Sequence, residues 1–168
     1  MRRRSLLALF CLSALGSGVT AQPAPLTVFV VRHAEKGPEP TDPGLTEAGK
    51  RRAEELARAL KEVGVSALFA TEFKRTQETV APLSAASGVQ PTLLPARDVA
   101  GLVAALRALP AGSRAVVASH SNLVHLIVAE LSGAKVPELS DLDYDRLVVV
   151  TVTGHGQGSA VVLRYGER

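Results

Sequence analysis

From Thr27 to Val31 every residue is β-branched or aromatic, with no alternation of polar and apolar side chains. A strand that offers no polar face must be covered on both faces, and that requirement constrains the fold more than any other segment. In a small chain, two-sided cover means helices on either side of a sheet. The rest of the sequence supplies the parts. A Pro- and Gly-rich loop, residues 37–44, follows the strand. Thr46 can then cap a helix starting at Glu47. It places Ala53, Leu56, Ala57, Leu60 and Val63 on one face, and Gly64 ends it. The pattern repeats as a strand over 67–70, a helix over 75–87 perturbed by Pro82, and a weak strand over 91–94. A helix over 99–109, a strand over 115–118 and a helix over 123–131 follow. Residues 146–153 and 160–165 read as a closing pair of strands around a glycine-rich link. This alternation predicts one domain, a three-layer α/β/α sandwich with a mostly parallel sheet.

The first residues stand apart from that pattern. Arg2, Arg3 and Arg4 precede a short apolar run from Leu6 to Leu15, and Val19-Thr20-Ala21 offers the small residues of a cleavage site. The segment 1–21 is expected to be a signal peptide and residues 22–168 the working domain, exported to the periplasm or secreted. The apolar run is short of the ~20 residues a membrane span needs, so no stable insertion is expected after cleavage. Removing it takes three of the 19 Lys+Arg and none of the 16 Asp+Glu, leaving a balanced charge that gives no reason to expect nucleic-acid binding. The single cysteine, Cys11, also leaves, which excludes disulfides, thiol catalysis and zinc–thiolate sites from the domain.

Three short motifs fall just past predicted strands: Arg32-His33-Ala34, Lys74-Arg75-Thr76 and Ser119-His120-Ser121-Asn122. Ligands of open α/β sheets bind beyond the carboxyl ends of the strands, so these loops can converge. A guanidinium grips a phosphoryl group bidentately, and two spread its charge. A neutral imidazole can attack phosphorus, and a second can support the same oxygens. Lys36 and Asn122 are further candidates for substrate binding, Asn122 also as a helix cap. No glycine-rich phosphate loop, acidic magnesium cluster or His-x-x-x-His pair competes, so no metal or other cofactor is expected.

Taken together, Arg32-His33-Ala34-Glu35-Lys36, Thr71-x-x-x-Arg75-Thr76-x-x-Thr79 and Ser119-His120-Ser121-Asn122 resemble the histidine phosphatase superfamily. The resemblance is to the small exported members of its phosphoglycerate-mutase-like branch. Ser121 stands where the acid-phosphatase branch usually has an aspartate after the second histidine. The resemblance implies the same sandwich and a small phosphorylated substrate. It implies His33 as the phosphate-accepting nucleophile, Arg32 and Arg75 on the phosphoryl oxygens, and His120 completing the pocket. Many members add a glutamate proton donor after the third strand. Here that segment is Leu94-Pro95-Ala96-Arg97-Asp98, which leaves Asp98, Glu35 or a proton from water or substrate. The cap insertions of the mutases are missing. The expected activity is therefore a metal-independent phosphomonoesterase working through phosphohistidine. Its rivals are a catalytically silent phosphate- or phosphosugar-binding module and a protein-phosphohistidine phosphatase. Of the remaining features, His125 reads as partly buried structure and His155 as a hairpin tip. Residues 141–146 read as a polar lead-in to a strand, with Tyr144 or Arg146 at the pocket rim.

Overall fold

The computed structural model describes residues 24–154 and 156–167. The expected signal peptide and His155 lie outside the described residues. The predicted first strand is β1, Leu26–Arg32, and Thr46 caps helix α1, Glu47–Leu60, by accepting from Gly49 N at 3.1 Å. A single 3-10 turn, Lys61–Val63, carries α1 to Gly64, whose φ of 69° is the left-handed conformation a glycine adopts without strain. Then come β2 (Ala67–Thr71), α2 (Lys74–Ser87), β3 (Pro91–Leu94), α3 (Val99–Arg107) and β4 (Arg114–Ser119). Helix α4 (Ser121–Ser132) and strands β5 (Arg146–Gly154) and β6 (Gln157–Arg164) complete the order. Pro82 sits inside α2 without breaking it. Helix α4 begins two residues earlier than expected, because Leu123 N and Val124 N already bond the His120 carbonyl.

The sheet order is β3-β2-β4-β1-β5-β6. Its first four strands are parallel, and β5 and β6 are antiparallel additions. Val28, Val30, Phe69 and Val117 face α3 and α4, packing against Leu106, Ile127 and Leu131. Phe29, Val31, Leu68 and Val116 face α1 and α2, packing against Leu56, Leu60, Val80 and Leu83. Successive residues of β1 therefore enter two different cores, the two-sided burial its composition demands.

This layering positions the site. The neighbours β1 and β4 are followed by helices on opposite faces, which opens a crevice at their carboxyl ends. The loop 37–44, which belongs to neither core, closes against that end. Asp42 adopts a φ of 44°, a conformation Asp tolerates better than most residues, and its carboxylate accepts the Lys74 amide at 2.9 Å. Phe73, the residue before α2, makes no side-chain cap, so a distant loop caps this helix.

Candidate active site

Parallel pairing brings the histidines together. Arg32 is in register with Ser119, and His33 N bonds Ser119 O at 2.9 Å, so each chain leaves the sheet with a histidine as its next residue. The rings of His33 and His120 meet edge to face, centroids 5.5 Å apart. Both side chains are largely buried. Burial, with the nearby guanidinium charges, holds each imidazole well below its ordinary value, at about 4. Both are neutral at pH 7.

The hydrogen bonds fix which nitrogens are open. His33 Nδ1 lies 2.8 Å from the carbonyl of Ala34, which can only accept, so Nδ1 carries the proton. Nε2 of His33 then keeps its lone pair. His120 is held the opposite way: Arg75 can only donate, and its Nη2 reaches His120 Nδ1 at 3.5 Å. His120 Nε2 then donates to Thr71 Oγ1 at 3.1 Å. The chain continues from Thr71 to Thr76 Oγ1 at 2.8 Å and from Thr76 to the Phe73 carbonyl at 2.8 Å. Thr71 thus anchors His120 through its hydroxyl, and Thr79 does the same for the backbone after His33, accepting from Ala34 N at 2.9 Å.

Two guanidinium groups flank the rings. Arg32 is only 4% exposed; its Nη1 donates to the Ser140 carbonyl at 2.8 Å and its face lies 4.2 Å from the Tyr144 ring centre. Its Nη2 is 3.4 Å from Asp141, a carboxylate 94% exposed. Arg75 lies 4.3 Å over the Phe73 ring. The Nε of each arginine is buried and, among the described residues, has no hydrogen-bond partner. Unpaired buried donors are costly in a folded protein and need an explanation. Here an oxyanion would satisfy them. These groups line one open hollow of about 370 Å³, which Lys36, Arg97, Ser121 and Asn122 also line.

The structure brings His33, Arg32, Arg75 and His120 together, with Lys36 and Asn122 on the wall. It does not bring the two sequence-proposed proton donors there. The Glu35 carboxylate turns away into an ion pair with Arg52 (Nε to Oε1 at 2.8 Å and to Oε2 at 3.0 Å) and lines a separate hollow with Arg51 and Glu167. Asp98 caps α3 by accepting from Gly101 N at 2.8 Å and faces a small neighbouring crevice. Asn122 is not a helix cap, because it already lies inside the first turn of α4. Tyr144 reaches the site, whereas Arg146 is tied to Asp143 and Asp145. His125 is half-buried, as expected of a structural histidine. Sequence reasoning missed Phe73, Arg97, Asp141 and the Ser140 carbonyl. Phe73 carried a faint signal, an aromatic two residues before a phosphate-type arginine in a chain with four phenylalanines. Among the described residues no group of three or more His, Cys, Asp or Glu could hold a metal ion.

With this geometry in hand, the comparisons with known proteins are consistent. The family model for the histidine phosphatase superfamily (branch 1) matches residues 28–98. No curated protein matches the sequence significantly. A solved protein histidine phosphatase SixA complexed with tungstate superposes with a TM-score of 0.70 at 24% identity, covering 82% of this chain and 96% of its own. The mycobacterial glucosyl-3-phosphoglycerate phosphatase in complex with inorganic phosphate superposes with a TM-score of 0.65 at 14% identity, covering 84% of this chain and 97% of its own. At these identities the two structures establish a shared fold.

Proposed function

We propose that the chain is a member of the histidine phosphatase superfamily, whose branch 1 model matches residues 28–98, and that it is an exported phosphomonoesterase working through a phosphohistidine on His33. One observation carries the reading. The Nε donors of Arg32 and Arg75 are buried and unpaired on either side of a neutral histidine whose Nε2 is open. In the first step Nε2 of His33 attacks phosphorus, the P–N bond forms and the ester P–O bond breaks. The leaving oxygen takes a proton from water or from the substrate, since neither Glu35 nor Asp98 reaches the hollow. Arg32 and Arg75 carry the charge on the phosphoryl oxygens. His120, its ring oriented by Thr71, presents Nδ1 to the same group, takes a proton from solvent once the incoming anion offsets the arginine charge, and returns it when phosphate leaves. Water then attacks phosphorus, the P–N bond breaks, and phosphate leaves with His33 neutral again. Each turnover consumes one water.

The test is phosphate release from an aryl phosphate by residues 22–168, beside His33→Ala and with EDTA present. Turnover in the native protein, lost in the variant and indifferent to EDTA, supports the proposal. Phosphate binding without turnover in either protein replaces it with a silent binding module. Equal turnover in both removes the mechanism.

A second reading, removal of phosphate from a histidine of another protein, is favoured by the two displaced acids. A leaving imidazole is a far weaker base than an alkoxide and needs little protonation. The solved protein histidine phosphatase shares this fold. Export weighs against it, and a phosphohistidine peptide turned over much faster than an alkyl phosphate would favour it.

A further inference from the structure

Arg32 and Arg75 account for one phosphoryl group, yet the hollow carries more positive charge than that group needs. Among the described residues four cations line it, Arg32, Lys36, Arg75 and Arg97, against one lining carboxylate, Asp141, which already lies on Arg32. Two further carboxylates keep their charge on the Arg75 side, Asp42, which also accepts the Lys74 amide, and Glu72, which also accepts the Ala96 amide at 2.7 Å. Among the described residues neither Lys36 nor Arg97 has a carboxylate partner.

Both surplus cations leave backbone that is pinned in place. Lys36 bridges Leu45 as a two-stranded pair closed by Gly37 N to Gly44 O at 2.9 Å. Arg97 sits in a turn closed by Asp98 N to Pro95 O at 2.9 Å, tethered on one side by Glu72 and on the other by the Asp98 cap on α3. Glu72 comes from the end of β2, beside the phosphate arginine, so the tether aims the Arg97 turn at the hollow. The fixed turns hold both Cα positions at the cavity wall, so only the side-chain rotamers remain to be ordered on binding.

Resting on the phosphatase reading, we infer that Lys36 and Arg97 form a second anion subsite, and that the substrate is a small molecule bearing a second phosphoryl group. A phosphoryl group, with up to two negative charges and several terminal oxygens, can engage both cations at once. Its oxygens also accept the planar fork of arginine. A hollow of about 370 Å³ is of a size to hold both groups at once.

The experiment is calorimetric binding of α,ω-alkane bisphosphonates over a series of chain lengths, each against its monophosphonate, at low salt. Their C–P bonds survive this chemistry, so the ratio is read whether or not the protein turns substrate over. A failure of the phosphatase reading appears instead in the aryl phosphate assay. The best-matched bisphosphonate should bind roughly tenfold or more tightly than its monophosphonate, an advantage eroded by added salt. In Arg97→Ala that ratio should fall to about twofold, the statistical advantage of two equal ends. Arg97→Lys should retain part of it. A wild-type ratio of about twofold at every length, or an unchanged ratio in Arg97→Ala, overturns the proposal. Either outcome would leave the basic rim to acidic side chains flanking a phosphorylated protein residue.

Discussion

In the proposed mechanism His33 shows how little separates a packed histidine from a nucleophile. The Ala34 carbonyl fixes its tautomer and burial keeps it neutral, so the attacking nitrogen is available down to unusually low pH. The acidic limb of kcat/KM in this protein should therefore lie near 4, more than two units below an ordinary imidazole. A limb near 6.5 in a pH–rate profile with an aryl phosphate would show that His33 is solvated and titrating normally. Arg75, in the same mechanism, acts on the charge rather than on the bond. Arg75→Ala should lower kcat by about a hundredfold or more while leaving the fold intact, by analogy with the loss of one preorganised donor. Near-native kcat would assign the phosphoryl charge to Arg32 alone. That His33, His120, Arg32 and Arg75 would meet at one place was legible from residue type and position. The missing proton donor was not. Whether Glu35, two residues from the nucleophile, faces the pocket depends on Arg52, seventeen residues further on.

At the scale of elements, the site is strapped to the start of α1. The Glu35 carbonyl accepts from Thr46 N at 2.9 Å and from Thr46 Oγ1 at 3.2 Å. Gly49 packs so close beneath that a Cβ there would collide with the same carbonyl. Gly49 has no positive φ, so it is required for close approach and not for turn geometry. Gly49→Ala should displace the loop after His33, costing about 1–3 kcal/mol and lowering kcat with it. A variant with native denaturant midpoint and native turnover would show that the loop absorbs the methyl group without consequence. Most element types and several boundaries followed from apolar periodicity and glycine stops. The start of α4 did not, because Ser121 and Asn122 read as a loop until the His120 carbonyl is seen to accept two amides.

Across the whole molecule, the sandwich stores two neutral histidines where water would charge them. Their folded values are lowered to about 4, so between 4 and about 6.5 the unfolded chain binds more protons than the folded one. Stability contributed by these groups is full above that window and is lost as pH falls through it. Tm should decline from pH 7 to pH 4.5, and His33→Asn or His120→Asn should flatten the decline. A flat Tm in the native protein would mean that the two rings are charged or solvated in the fold. Phosphate should raise Tm at any pH in this range, because it binds only the folded arrangement.

The sequence by itself determined the layers and which residue types gather at the strand ends. A strand without a polar face demands two-sided cover, and three basic or imidazole motifs at strand ends demand a ligand there. Tertiary structure decided which side chains face that ligand. Register between β1 and β4 set the two histidines 5.5 Å apart. Ion pairing carried Glu35 away from the pocket, the Asp98 cap held that carboxylate on α3, and the tether from Glu72 brought Arg97 to the rim. The division has a physical cause. Burial periodicity and strand-end placement are local properties of the chain, whereas the direction of a long charged side chain is set by the partner it finds, and that partner comes from elsewhere in the fold.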